Sequence, residues 1–218
     1  MQGLTKDTAK IFRAISLLSC LKGYILIGGS ALSLQINKRK SEDLDFCVWT
    51  KKLKKEKPAV DWPAIEKELE TAGSIESRDI PGFDQVNFVV GGVRITFVAK
   101  VENLSPVKTP VSILNNIYAA EICAIGAMKI ELILRRSEFR DYYDIYSILK
   151  EGVALNDLVS GAVKYSNHRL KTRDALAFLS NGSNFRPDKG FSLLEPAYDI
   201  DHKGIEEYIK TLIKKEYI

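Results

Sequence analysis

The chain has 218 residues and a formal net charge of +4, and 45% of its residues are hydrophobic and 28% charged. This balance is typical of a globular protein and excludes a disordered or collagen-like chain. No apolar stretch approaches the roughly 20 residues that span a bilayer, and the N-terminus carries no signal-peptide pattern, so we expect a cytoplasmic protein.

The first predicted element is an amphipathic helix over residues 5–20. Thr5 is its candidate cap, and apolar side chains recur at helical spacing on one side. These side chains are Ala9, Phe12, Ile15 and Leu18. We expect this stripe to pack against a sheet.

A strand, a glycine turn and a helix are predicted next. The apolar run Tyr24–Ile27 has the length and β-branched content of a buried strand. Gly28 and Gly29 interrupt it and permit close approach of a ligand, and Ser30 is a candidate cap for the following helix. Such a helix start offers unpaired N–H groups and a positive dipole end, which suit a phosphate.

Two carboxylates stand at the start of the second predicted strand, Leu44–Trp49. Strand alternation places Asp43 and Asp45 on one face and Leu44 and Phe46 on the other. Two like charges this close repel unless a cation lies between them, and hard oxygen ligands suit Mg²⁺. The pattern therefore predicts a divalent-cation site at Asp43 and Asp45.

Basic side chains flank this strand. The loop before it carries Arg39 between Lys38 and Lys40, and the run after it consists of Lys51, Lys52, Lys54, Lys55 and Lys57. Two interpretations stay open, namely solvated loop charges or a path for phosphates and a nucleic-acid acceptor. A helix that starts at Asp61 with Pro63 and ends at Gly73 is predicted to follow.

Residues 85–98 predict a β-hairpin around the two-residue turn Gly91–Gly92. This turn sets the register, with Val90 opposite Val93, Phe88 opposite Ile95 and Val86 opposite Phe97. The other surface carries Asn87, Val89, Arg94 and Thr96. We expect that more polar surface to face the site if the hairpin joins the sheet.

The part of the chain from about residue 111 onward is predicted to be mainly helical. Residues 111–118 are predicted to form a short strand or connection before the first of these helices. Lys129 is a single cation among apolar neighbours in a helix predicted over residues 120–136. Burying an ammonium without a partner is unfavourable, so we expect Lys129 to reach solvent or to meet an anion.

The segment 137–146 predicts another helix, and it has two interpretations. Arg140 and Asp144 are four residues apart and close enough to pair, so that Arg140, Asp141 and Asp144 would form a buried polar network that holds this helix to the catalytic sheet. Alternatively Asp141 or Asp144 supplies a further catalytic carboxylate, and the spacing does not decide between them. Tyr142, Tyr143 and Tyr146 are predicted to be core residues.

The remainder of the chain predicts two or three helices with a connection around residues 181–196. Arg169, Lys171 and Arg173 give it a basic side. His168 and His202 have no partners at metal-site spacing and are predicted to lie at the surface. Cys20, Cys47 and Cys123 are isolated among apolar residues, which predicts buried, reduced thiols.

The ordered set Gly29-Ser30, twelve residues, then Asp43-Leu44-Asp45 resembles the first motif of the DNA polymerase β-type nucleotidyltransferase superfamily. The run Gly28-Gly29-Ser30-Ala31-Leu32, with Arg39 and Ser41-Glu42-Asp43-Leu44-Asp45-Phe46, is closer still to the AbiEii/AbiGii toxin-like branch. Lys129 and the segment Arg140-Asp141-x-x-Asp144 match that family's later conserved segments. The resemblance covers roughly residues 20–150.

The resemblance implies an α+β fold with a mixed sheet of α/β type. Residues 1–110 would form a polymerase β-like nucleotidyltransferase core, and residues 111–218 a helical region that completes the nucleotide site. It implies metal-dependent transfer of a nucleoside monophosphate from a nucleoside triphosphate, with Mg²⁺ or Mn²⁺ bound by Asp43 and Asp45. The catalytic residues implied are Asp43, Asp45, Asp141 and Asp144, and the nucleotide-binding residues are Gly28, Gly29, Ser30, Arg39, Lys129 and Arg140.

The acceptor implied is a hydroxyl of RNA or tRNA, of a protein or of a small molecule, and an antitoxin protein is an expected partner. One departure stands out, because many polymerase β-type enzymes place a third carboxylate on a strand where this chain has Thr96 or Asn87. The alternative to an enzyme is therefore a non-catalytic module that binds a nucleotide or a partner.

Overall fold

The computed structural model describes residues 1–51, 57–102 and 105–217. Lys52, Lys54 and Lys55 of the predicted basic run lie outside these residues. The chain divides into two compact units, Met1–Glu121 and Ile122–Ile218. None of the described helices is long and apolar enough to cross a membrane.

The described residues of the first unit form three α-helices and a seven-stranded sheet. The helices are α1 (Lys6–Ile15), α2 (Gly28–Ile36) and α3 (Trp62–Ala72). The strands are β1 (Ile25–Ile27), β2 (Leu44–Thr50), β3 (Ile75–Gly82), β4 (Gln85–Val90), β5 (Val93–Val101), β6 (Val111–Leu114) and β7 (Ile117–Ala119). The strand order is β3-β4-β5-β2-β1-β7-β6.

The sheet is mixed, because β2 and β5 are parallel while β1 and β2 are antiparallel. The predicted hairpin register is confirmed, with Val90 paired to Val93, Phe88 to Ile95 and Val86 to Phe97. The apolar face of the sheet is buried, and Phe46 stacks on Phe97 with ring centroids 5.4 Å apart. The alternation of apolar and polar residues thus puts Asp45 and Thr96 on the opposite face.

The second unit is helical. It comprises α4 (Ile122–Glu131), α5 (Phe139–Lys150), α6 (Leu155–Tyr165), α7 (Thr172–Leu179) and α8 (His202–Tyr217), with short 3₁₀ turns at residues 132–134, 182–184 and 191–194. The tyrosines of α5 are buried as predicted. Tyr142 stacks on Phe185 with centroids 4.0 Å apart, and its hydroxyl donates to the carbonyl oxygen of Leu179.

The predicted fold class, a mixed sheet followed by a C-terminal helical region, is confirmed. The first compact unit extends to Glu121, because β7 pairs with β1 and β6 pairs with β7. The division into a catalytic core over residues 1–110 and a helical region over residues 111–218 stays a prediction. The helix predicted over residues 5–20 ends at Ile15, and residues 19–21 form a separate 3₁₀ turn.

Two predictions of burial were wrong. Cys123 is exposed, whereas Cys47 is buried and Cys20 is half-buried, and all three thiols are free. His202 is half-buried rather than at the surface, because its ring packs on Phe139 with centroids 4.4 Å apart. His168 is exposed as predicted.

Candidate active site

The glycine turn between β1 and α2 is shaped around a carboxylate. Gly28 has a φ of +71°, a conformation that residues with a Cβ rarely adopt. A Cβ built on Gly28 would lie 2.9 Å from Oδ2 of Asp45. Because Ile27 pairs with Asp45 across β1 and β2, the register brings this carboxylate to the start of α2. Gly28 is therefore required both for the turn and for the room that Asp45 occupies.

Ser30 has a different role from the predicted one. Helix α2 begins at Gly28, so that Ser30 lies inside its first turn and is not the cap. The Ser30 side chain is buried, and its Oγ donates a hydrogen bond to the carbonyl oxygen of Asp43. This bond joins the first turn of α2 to the residue that precedes β2, and it helps to fix the position of Asp43.

Arg39 is a buried cation beside the same helix start. Only 5% of the residue is exposed, and Nη1 donates to the carbonyl oxygen of Lys40 over 2.8 Å. A Cβ on Gly29 would lie 2.7 Å from Nη2 of Arg39 and 3.0 Å from Oγ of Ser41. The second glycine therefore makes room for the guanidinium, which packs against the start of α2.

The two predicted metal ligands stand at the start of β2. Asp43 and Asp45 are each partly exposed, while Leu44 between them and Phe46 after them are buried. Among the described residues no group of three or more His, Cys, Asp or Glu side chains forms a metal site. A pair of carboxylates nevertheless fits Mg²⁺, which proteins usually bind through one or two carboxylates together with substrate phosphates and water.

A row of polar side chains extends from Asp45 across the sheet. Asp45 pairs with Thr96 on β5, Thr96 with Asn87 on β4, and Asn87 with Asp79 on β3. Thr96 is thus the neighbour of Asp45 on the face that the hairpin was expected to turn toward the site. Asp79 is three strands away from Asp45, or about 14 Å at the usual strand spacing.

Burial also sets the chemistry of Cys47, two residues after Asp45. Desolvation raises the pKa of its thiol to about 12, and the positive charge of Lys100 opposes that shift. Cys47 is therefore protonated at neutral pH and is not a nucleophile of this site.

The remaining predicted site residues lie in the second unit, where Lys129 is buried between two carboxylates. Its Nζ is 2.8 Å from Oδ1 of Asp141 and 2.7 Å from Oδ2 of Asp144. All three residues are 4% exposed or less. Lys129 accordingly meets an anion rather than solvent, and the anions are side chains of α5. Asp141 and Asp144 are therefore members of a buried polar network, with Lys129 as its cation, whereas the ion pair of Arg140 is with Asp188. The catalytic role of either aspartate stays a prediction.

Arg140 has an ion-pair partner that the sequence spacing does not indicate. Its Nε is 2.7 Å from Oδ2 of Asp188, in the connection that precedes α8. The spacing of four residues had suggested Asp144, whose carboxylate lies 2.7 Å from Nζ of Lys129.

Arg136 adds a second cation to the network, with Nε 3.4 Å from Oδ2 of Asp141. Neither Arg136 nor Asp188 was among the predicted site residues. No local spacing rule connects Asp188 to Arg140, which lies 48 positions earlier.

The sequence is similar to those of a known protein family. The sequence matches the family described as Nucleotidyl transferase AbiEii toxin, Type IV TA system, over residues 11–204. No curated protein sequence gives a significant match.

Several solved structures share the fold, JHP933 and MenT4 among them. JHP933 from Helicobacter pylori superposes with a TM-score of 0.56 at 18% identity, covering 97% of this chain and 94% of that one. MenT4, a nucleotidyltransferase toxin from Mycobacterium tuberculosis, superposes with a TM-score of 0.59 at 14% identity, covering 95% and 84%. At such identities these likenesses concern the fold alone.

The family match, in contrast, spans most of the sequence and includes the glycine turn, both aspartates of β2 and the Lys129 network. The chain therefore belongs to the AbiEii family of nucleotidyltransferase toxins of type IV toxin–antitoxin systems.

Proposed function

We propose that this nucleotidyltransferase moves a nucleoside monophosphate from a nucleoside triphosphate to an acceptor hydroxyl, with a divalent cation bound by Asp43 and Asp45. The observation that carries the proposal is the carboxylate of Asp45 beside Gly28, at the start of α2, in space that any Cβ would fill. A backbone built around one carboxylate supports a functional role for that carboxylate.

The start of α2 suits the phosphates. The N-cap residue is Ile27, which offers no side-chain hydrogen bond to the first turn, and the helix dipole places positive potential there. The N–H groups of Gly28 and Gly29 would therefore bind phosphate oxygens. Arg39 is buried behind Gly29, so we assign it to holding this turn in place and adding positive potential, rather than to wrapping a phosphate.

Asp43 and Asp45 would hold Mg²⁺ or Mn²⁺ together with the triphosphate. When bound, such an ion neutralises charge on the phosphate oxygens and lowers the pKa of an attacking hydroxyl. In the reaction, the acceptor oxygen bonds to the α-phosphorus and the bond from that phosphorus to the bridging oxygen breaks. Pyrophosphate leaves with the electron pair, and the hydroxyl proton passes to water. The protein contributes chiefly positioning and electrostatic stabilisation.

In the second unit we assign Lys129, Asp141 and Asp144 to holding α4 and α5 together, because each group is buried and each already has an opposite charge beside it. The contact of Lys129 or Arg140 with a phosphate, and a catalytic role for either aspartate, stay predictions. Type IV membership implies an antitoxin as partner in general terms. We propose RNA or tRNA as the first acceptor class to examine, before protein and small molecules.

The test is label transfer from each of the four α-labelled nucleoside triphosphates, with Mg²⁺ or Mn²⁺, onto total RNA and onto the protein itself. The control is the double variant Asp43→Ala, Asp45→Ala. Transfer by the native chain that the control lacks supports the proposal and names the nucleotide and acceptor class. Metal-dependent nucleotide binding without transfer to either acceptor would instead favour the non-catalytic binding module.

A further inference from the structure

Thr96 is the side chain next to Asp45 on the polar face of the sheet. Its backbone is paired in register with Asp45 on one side and with Asn87 on the other. Side chains that are directly opposite on neighbouring strands have Cβ atoms about 5 Å apart. The hydroxyl of Thr96 therefore lies within reach of anything that touches the carboxylate of Asp45 from this face.

The residue Thr96 is 9% exposed, and its hydroxyl makes no hydrogen bond to the described residues. Its Oγ1 is not among the buried side-chain atoms that lack a partner, so this oxygen reaches solvent on the polar face. Its neighbours in the row differ from it. Nδ2 of Asn87 donates to Asp79 over 3.2 Å, and Nε2 of Gln85 donates to Oδ1 of Asn87 over 3.1 Å. The polar side chains farther from Asp45 are thus satisfied within the protein, and the one beside Asp45 is not.

A hydroxyl that reaches solvent next to Asp45 is free to bond to a molecule bound there, and the strand does not require a hydroxyl at this position. Valine has the same shape as threonine and favours strands at least as strongly. The position next to Asp45 and the accessible oxygen together make this hydroxyl available to a ligand of the site. A threonine hydroxyl both donates and accepts a hydrogen bond but does not lose its proton at neutral pH, so it fits a neutral hydroxyl better than it fits a cation.

We propose that Thr96 Oγ1 binds the attacking hydroxyl of the acceptor and aligns it beside Asp45. This inference rests on the proposed function and specifies one contact of that site. Threonine orients the nucleophile and does not act as its base. The acceptor oxygen bonds to the α-phosphorus, pyrophosphate leaves with the electrons of the broken bond, and the proton goes to water.

Two variants of Thr96 and one matched control test the contact. Thr96→Val removes only the hydroxyl, Thr96→Ser keeps it, and Thr50→Val makes the same change on β2 at a hydroxyl that already bonds to the carbonyl oxygen of Lys100. Three quantities are measured for each variant. They are label transfer to the acceptor that the test with total RNA and the protein itself identifies, the affinity for the labelled triphosphate, and the melting temperature.

We expect Thr96→Val to lower kcat/KM for the acceptor about tenfold, the scale of one hydrogen bond. Its triphosphate affinity should be unchanged and its melting temperature equal to or above that of the native chain. Thr96→Ser should restore most of the transfer, and Thr50→Val should retain it.

Full transfer by Thr96→Val overturns the inference and leaves the proposed function standing. A lowered melting temperature with transfer lost in both Thr96 variants also overturns it, because it assigns the hydroxyl to the fold. Absence of transfer by the native chain contradicts the proposed function, and this inference with it.

Discussion

Oδ2 of Asp45 lies 2.9 Å from the position that a Cβ on Gly28 would occupy. Gly28 directly follows β1, and Asp45 lies on β2. The two residues meet because Ile27 and Asp45 are paired across β1 and β2. The carboxylate of Asp45 therefore has room only because residue 28 lacks a side chain. This steric requirement explains why the motif combines a glycine with an aspartate.

Gly28→Ala should disable the site more than it destabilises the fold. The new Cβ displaces the Asp45 carboxylate, and misplacement by about 1 Å costs roughly a hundredfold in rate. The positive φ adds about 1–2 kcal/mol of strain. Label transfer and urea unfolding of the variant measure the two effects separately.

Gly92→Ala is the matched control, since Gly92 has a φ of +75° and a Cβ added there would meet no atom within 4 Å. Gly92→Ala should lower the free energy of unfolding through backbone strain and should retain native label transfer. Equal transfer by the two variants would show that the room beside Asp45 has no functional consequence.

Lys129→Met should be strongly destabilising. It leaves two buried carboxylates, Asp141 and Asp144, without the ammonium that bridges them, and breaking a buried ion pair from one side costs about 3–5 kcal/mol. Urea unfolding at neutral pH measures the loss. Lys164→Met, at an exposed lysine of α6, should change the free energy of unfolding by less than about 0.5 kcal/mol.

A second variant separates the pair from the packing. Lys129→Met combined with Asp141→Asn and Asp144→Asn removes the unpaired charges and should recover part of the stability. If the single variant unfolds at the same urea concentration as the native chain, the network does not hold α4 to α5.

Alkaline pH should destabilise the fold through buried acidic protons. Burial raises the pKa of Cys47 from its ordinary value of 9.0 to about 12. The folded chain thus keeps a proton that the unfolded chain releases, so the stabilising contribution is complete below about pH 9 and is lost between pH 9 and 12. Cys20, through burial and the nearby charge of Glu68, acts in the same direction.

The urea midpoint should therefore fall from pH 8 to pH 10.5, and Cys47→Ala should fall less steeply over that interval. A thiol reagent at pH 8 should label the exposed Cys123 well before Cys47, as read by peptide mass spectrometry. Equal labelling of the two would contradict the burial of Cys47.

The hairpin was the most predictable part of the fold. Residues 85–98 alternate cleanly, and the two-residue glycine turn leaves one register that buries a complete apolar face. Strand β3 was not predicted, because its sequence Ile-Glu-Ser-Arg-Asp-Ile-Pro-Gly is mostly polar and contains Pro81. Such residues suit the exposed edge of a sheet, where no alternation is imposed.

The site was predictable where its residues are close in sequence. Asp43 and Asp45 stand at the start of β2 as the alternation indicated, and the motif identified the family. The role of Ser30 was not predictable, because α2 begins two residues earlier than expected. Ser30 therefore lies inside the helix and bonds to Asp43 rather than capping the helix. The pairing of Arg140 with Asp188 depends on the path of the chain after α7, which local spacing does not determine.

The most direct test of the central claim compares label transfer by two separate variants, Asp45→Asn and Asp79→Asn. Both variants remove one carboxylate from the same row of the same sheet face, yet only Asp45 lies at the glycine turn. We predict that Asp45→Asn abolishes metal-dependent transfer, whereas Asp79→Asn retains it with the native metal requirement. Native transfer by Asp45→Asn, or equal losses in the two variants, would contradict the assignment of the catalytic site to Asp43, Asp45 and the start of α2.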